Sequence, residues 1–244
     1  MKKTITIALC MALAMVMLAG CVTVNYGGSG VRGRGNKETY TFNVGEITEI
    51  KTALLLDIDY YSASSDIVTL EIQPNLRDYV IVEESGGVLT VRTTRNINVS
   101  SGEVPLLKVS TPALKSLSFA GAGSFTARDK IIADEFSLRM DGAGSGKAEL
   151  DVDKLTVDIA GAGSFQLSGR ADDASFGMAG AGSIEALSLQ TKNSTVDLAG
   201  VGTVRLSCSD NLKVIAAGMG TVEYIGSPAI DTYRGGLVTV RNVG

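Results

Sequence analysis

The sequence contains no histidine and no tryptophan, only 4 prolines and only 3 cysteines. Without histidine there is no Ser-His-Asp triad, no imidazole base and no imidazole metal ligand. Aromatic side chains make up 5% of the chain, so little material exists for a sugar-stacking platform. The net charge is −4, the wrong sign for a chain that neutralises phosphates, and no nucleic-acid partner is expected. Scarce proline also rules out collagen, although glycine is abundant at 29 residues. So much glycine argues equally against a helical bundle.

A short basic start, "MKK", precedes the apolar run "TITIALCMALAMVMLAG". The run has the length of a secretory signal and ends in Leu18-Ala19-Gly20-Cys21, which resembles a bacterial lipobox. That resemblance implies cleavage after Gly20 and lipidation of Cys21, hence attachment to a membrane through acyl chains. Residues 1–20 take Lys2 and Lys3 with them and no acid, which leaves 20 basic against 26 acidic side chains. Cys10 leaves with the signal and Cys21 carries lipid. Cys208 is then alone, no internal disulfide forms, and packing must hold the fold. Val22 rather than an acid follows Cys21, which points to the outer membrane of a bacterial cell envelope. Residues 21–37 are glycine-rich and read as a flexible tether. Their GxGxxG at Gly28, Gly30 and Gly33 follows no strand and opens no helix, so it is not a nucleotide loop.

The domain proper spans 38–244. Segments such as "DIVTLEIQ" and "VLTVRTT" alternate apolar and polar residues and are rich in β-branched side chains, the mark of strands. From residue 120 one phrase recurs, "AGAGS" or a close variant. Its first glycine falls at 121, 142, 161, 180, 200 and 218, in steps of 18–21, and a degenerate copy follows at Gly236. A regular period near twenty denotes a solenoid. The four columns at −4, −2, +4 and +6 from that glycine are apolar almost throughout and share one parity, so they form the core.

The opposite parity faces out. It contains an unbroken hydroxyl column of Ser124, Ser145, Ser164, Ser183, Thr203 and Thr221, expected to link stacked strands by hydrogen bonds. Two residues further on, Glu185, Arg205, Glu223 and Arg241 alternate in sign; Arg139 and Asp158 form another expected pair. The same parity carries an apolar stripe of Ala122, Ala143, Ala162, Ala181, Val201 and Met219. Either this stripe meets another chain or the early strands of its own chain, or the chain bends at glycine and turns the alanines inward. The two glycines of each copy are expected on the core side, where the chain bends or walls approach. Cys208 continues the core parity and reads as a small buried residue.

These columns, the closing "YIGSPAI" at 224–230 and the "VTVRNVG" tail resemble the auto-transporter adhesin head GIN domain family, a bacterial envelope family of unknown function. The resemblance spans about 40–243 and implies a right-handed parallel β-helix of the pectate-lyase-like kind, often carried by lipoproteins. It transfers no catalytic residue. Asp158 and Asp197 share a column two coils apart, about 9.6 Å by stacking, close to the carboxylate spacing of inverting glycosidases. Gly177 lies between them. A lone Asp141 in "DGAGSG" makes no ladder of calcium ligands. No metal and no cofactor is expected. The resulting expectation is an all-β, non-catalytic, adhesin-like interaction module in the envelope, with a protein, polysaccharide or second copy as partner. A polysaccharide-binding module is the alternative, and a carbohydrate-active enzyme the less favoured one. The register of residues 40–113 stays open.

Overall fold

The computed structural model describes residues 31–94, 97–98 and 104–244. The signal segment and Cys21 lie outside them. In chain order the strands are β1 (Val31–Arg32), β2 (Glu38–Phe42), β3 (Glu49–Thr52), β4 (Asp57–Tyr61) and β5 (Ile67–Ile72), then the short helix α1 (Pro74–Arg77). There follow β6 (Val80–Ser85), β7 (Val88–Thr93), β8 (Ile97–Asn98), β9 (Leu106–Ser110), β10 (Ser116–Phe119) and β11 (Ala122–Ala127). The long strands are β12 (Ile131–Met140), β13 (Ala143–Ile159), β14 (Ala162–Met178), β15 (Ala181–Leu198) and β16 (Val201–Ala216). β17 (Met219–Ile225), β18 (Ala229–Arg234) and β19 (Leu237–Asn242) complete the chain.

From β10 onward every pairing is parallel, and the protein is a β-solenoid of about seven turns. Each long strand makes most of one coil, and the glycine corner of the repeat joins it to the next. Register follows the repeat: Ala143, Ser145 and Val157 lie over Ala162, Ser164 and Phe176. The degenerate copy fits too, with Thr239, Val240 and Arg241 beside Thr221, Val222 and Glu223. Inside runs one apolar cluster. Leu117, Leu138, Val157, Phe176, Val196 and Val214 are all buried in one column, and Phe119, Met140, Ile159, Met178, Leu198 and Ala216 in the next. Cys208 is free and buried, as the parity requires.

The repeated glycines have a more specific cause than core-side crowding. A Cβ on Gly161 would lie 1.8 Å from the carbonyl oxygen of Gly142. The missing side chain would point neither inward nor outward but along the stack, into the backbone of the preceding coil. Only glycine lets the corners stack at strand spacing.

Residues 40–113 do not continue the simple parallel stack. β3 lies between β10 and β7, and β4 between β11 and β9, all parallel. β5 and β6 then close the two walls antiparallel, on β9 and β7, and β2 adds antiparallel to β5. A parallel stack ends in a row of unpaired amides and carbonyls. Here, strands returning in the opposite sense occupy that row, as terminal capping units do in solenoids. The Arg77 guanidinium lies 4.9 Å from the Phe42 ring centre, which fastens α1 over β2. Residues 31–37, within the expected tether, make contacts of their own. β1 pairs parallel with β8. Asn75 accepts from the Arg34 amide at 2.8 Å and donates to the Arg32 carbonyl at 2.8 Å.

Candidate functional site

The structure brings the outward columns together in register. Ala122, Ala143, Ala162, Ala181, Val201 and Met219 stack coil upon coil, and Leu237 continues the column. Ala122 is half-buried beside Leu55; the others are exposed. Val201 and Met219 are 51% exposed and Leu237 is 80% exposed. Ala160, Ala179, Ala199 and Ala217, just before each corner, are exposed as well. The inward-turning alternative is thereby overturned. Cover by the early part of the chain is confined to Ala122, beside Leu55; from Ala143 onward the stripe is open. The result is a smooth apolar ridge that widens toward the last coils as alanine gives way to valine, methionine and leucine.

Beside the ridge lies the hydroxyl column, with Ser124, Ser145, Ser164, Ser183, Thr203 and Thr221 in register. The expected hydrogen-bonded ladder does not form. Ser124 donates to Asp57 at 2.6 Å and accepts no partner from its column; among the described residues the other five hydroxyls make no side-chain bond to protein. The reason is distance. Neighbouring hydroxyls stand one strand spacing apart, about 4.8 Å, whereas an O–H···O bond needs about 2.5–3.0 Å. Ser145, Ser164 and Ser183 line a groove of about 320 Å³, shared with Ser124, Lys147, Gln166 and Glu185.

The charge column forms as the alternation predicts. Arg205 lies 2.7 Å from Glu223 and 3.6 Å from Glu185, and Arg241 takes the other oxygen of Glu223. The Glu223 side chain is 7% exposed. Its carboxyl is held below its ordinary value near 4.5, chiefly by the hydrogen bond from Arg241; desolvation opposes this, and Arg205 adds to the lowering. Arg139 departs from expectation. It lies beside Asp158 in register, but its Nε donates to Asp141 at 2.8 Å, two residues on in the chain and just past the end of β12. Asp158 instead leans across Gly177, where an added Cβ would meet its Oδ1 at 2.3 Å. Asp158 and Asp197 border a shallow groove of about 400 Å³ with Arg139 and Ser175. A second charge cluster, around Arg170, lies outside the repeat columns. Asp172 receives Arg170 and Lys192 at 2.9 Å each, and its carboxyl is lowered, first by Lys192 and then by Arg170. It sits in the variable outer segments, where copies do not align.

Parallel coils stacked around a buried apolar column define a β-solenoid scaffold. Residues 46–228 match the family described as "putative auto-transporter adhesin, head GIN domain", and the chain belongs to it. A solved structure described as a putative adhesin from Bacteroides fragilis is 22% identical, with a TM-score of 0.84 over 88% of this chain and 100% of that one. A putative lipid binding protein from Parabacteroides distasonis is 22% identical, with a TM-score of 0.67 over 87% of this chain and 100% of that one. A putative adhesin from Parabacteroides merdae is 22% identical, with a TM-score of 0.63 over 89% and 100%. At such identity the likeness concerns the fold. No curated protein matches the chain.

Proposed function

We propose that this protein is an outer-membrane lipoprotein, held through acylated Cys21, whose solenoid is a non-catalytic adhesin-like contact module. One observation carries the reading: the exposed apolar ridge from Ala143 to Leu237, kept in register over successive coils. Contiguous apolar surface on a folded protein marks a contact, and a repeat that maintains it coil after coil builds an extended one. Membership of an adhesin-like family supports the same role. The non-catalytic part rests on chemistry: the open hydroxyls have no histidine to activate them. The test is Ala162→Glu with Ala181→Glu in the full chain. Thermal stability should move by no more than about 0.5 kcal/mol, as for exposed substitutions, while cross-linking to envelope partners and surface adhesion are lost. Unchanged cross-linking and adhesion would remove the ridge from the account. Separately, Cys21→Ser should shift the protein from the membrane to the soluble fraction.

A polysaccharide-binding role has its own support, the solvent-facing hydroxyl groove with Lys147, Gln166 and Glu185. A glycan array comparing the natural chain with Ser164→Leu distinguishes it. Binding that falls with Ser164→Leu and persists in the ridge variant favours the groove.

A further inference from the structure

The two ends of the stack differ. β2, β5 and β6 close one end, but among the described residues no strand lies over β18 or β19. Ile230, in register with buried Leu212, stays 45% exposed, and Tyr233 is 59% exposed. The backbone is open too. Leu237 and Val243 donate to Gly218 and Tyr224 on the coil beneath, and Gly235 donates to Ala216. Because successive residues of a strand direct their amides to opposite sides, the amides of Val238, Val240 and Asn242 point off the end. So do those of Ile230 and Thr232.

We propose that this end binds the same end of a second copy, with β18 of each chain antiparallel to β19 of the other about a two-fold axis at Gly236. The register follows from the sequence. Placing Gly236 on the axis sets Thr232 opposite the second copy's Val240, and Ile230 opposite its Asn242. All four have their open amides on the joining edge, as a hydrogen-bonded antiparallel pair requires. Thr232 and Val240 also share the inward parity of the coils below, where Val214 and Val222 are buried, so the two cores become continuous. Outside, exposed Asp231 meets the second copy's Arg241, and by symmetry Arg241 meets its Asp231. Leu237 stands over the second copy's Gly235, which has no side chain to obstruct it. A shift of one residue would put Asp231 against the inward-facing Val240 and lose both the charge pairing and the parity. Self-pairing of this kind is isologous and closes at two copies. The inference is independent of the ridge, most of which lies on earlier coils.

The test uses the full chain in mild detergent, with the protein mass read by sedimentation. The natural chain should be a dimer. Asp231→Lys, which places like charges opposite each other, and Val240→Pro, which deletes an amide that points off the end, should each give monomer with little change in melting temperature. Should Val240→Pro fail to fold, Asp231→Lys alone still decides. Asp231 and Arg241 face each other as a non-hydrogen-bonded pair, with Cα atoms about 4.5 Å apart, close enough for a disulfide. The double variant Asp231→Cys with Arg241→Cys should therefore run as a covalent dimer on non-reducing gels, and neither single variant should do so. A monomeric natural chain at about 100 μM, a dimer that survives Asp231→Lys, or open-ended higher assemblies would each overturn the proposal.

Discussion

Gly161 illustrates how little latitude a stacked corner leaves a single residue. A methyl group there would meet the Gly142 carbonyl oxygen at 1.8 Å, and no rotamer can relieve a clash of Cβ with backbone. Gly161→Ala should therefore cost several times the roughly 1 kcal/mol range of ordinary glycine-to-alanine effects. Urea denaturation would show it, with the midpoint falling far more than for the exposed Ala162→Glu. Glu223 behaves differently, because its constraint is electrostatic. Arg241 and Arg205 favour its ionised form and lower its pKa. A carboxyl lowered by folding contributes stability that is present above its unfolded value and is lost as pH falls through the folded one. The natural chain should thus lose thermal stability as pH drops below about 4.5, the ordinary value. Glu223→Gln should be less stable at pH 7 and show a flatter profile from pH 5 to pH 3. Profiles that run parallel would mean the carboxylate is not the group responsible.

Elements that recur were legible in the sequence, and elements used once were not. Each coil restates the same columns, so Leu138, Val157 and Phe176 together identify a buried position that none of them identifies alone. The alternation of "DIVTLEIQ" in β5 says which residues face inward, but it fits a parallel neighbour and an antiparallel one equally well. That is why the cap was not readable. Side-chain geometry limited the rest. Parity placed Ser145 and Ser164 outside, but only the spacing between strands shows that their hydroxyls cannot meet. Arg139 had two acids within reach, Asp158 across the ladder and Asp141 at the corner just after its own strand, and its side-chain conformation selects the second. Core elements should respond as packed layers do. Phe165→Ala, which opens space beneath the Gly146 position that the ring fills, should destabilise by about 3–5 kcal/mol, measurable by chemical denaturation. A much smaller loss would mean that adjacent coils collapse into the gap.

At the scale of the whole molecule, stability in a solenoid is a sum over coils and the interfaces between them. β14 and β15 have full coils on both sides, whereas among the described residues of a single copy β18 and β19 have one. Amide exchange in the monomeric Asp231→Lys variant should accordingly be slowest in β14 and β15 and fastest in β18 and β19, with the strapped β2 and β5 protected despite lying at an end. Equal exchange at both ends would mean the cap adds nothing. The threading of the chain has one more effect. The layer formed by residues 49–61 is sandwiched between strands from 88–110 and strands from 116–127. As the chain leaves the ribosome, then, β3, which ends at residue 52, must wait until residue 88 for its first parallel neighbour and until residue 116 for its second. Assembly cannot proceed like a zip from the leading end, and the earliest strands must be kept from mispairing until the middle of the polypeptide arrives.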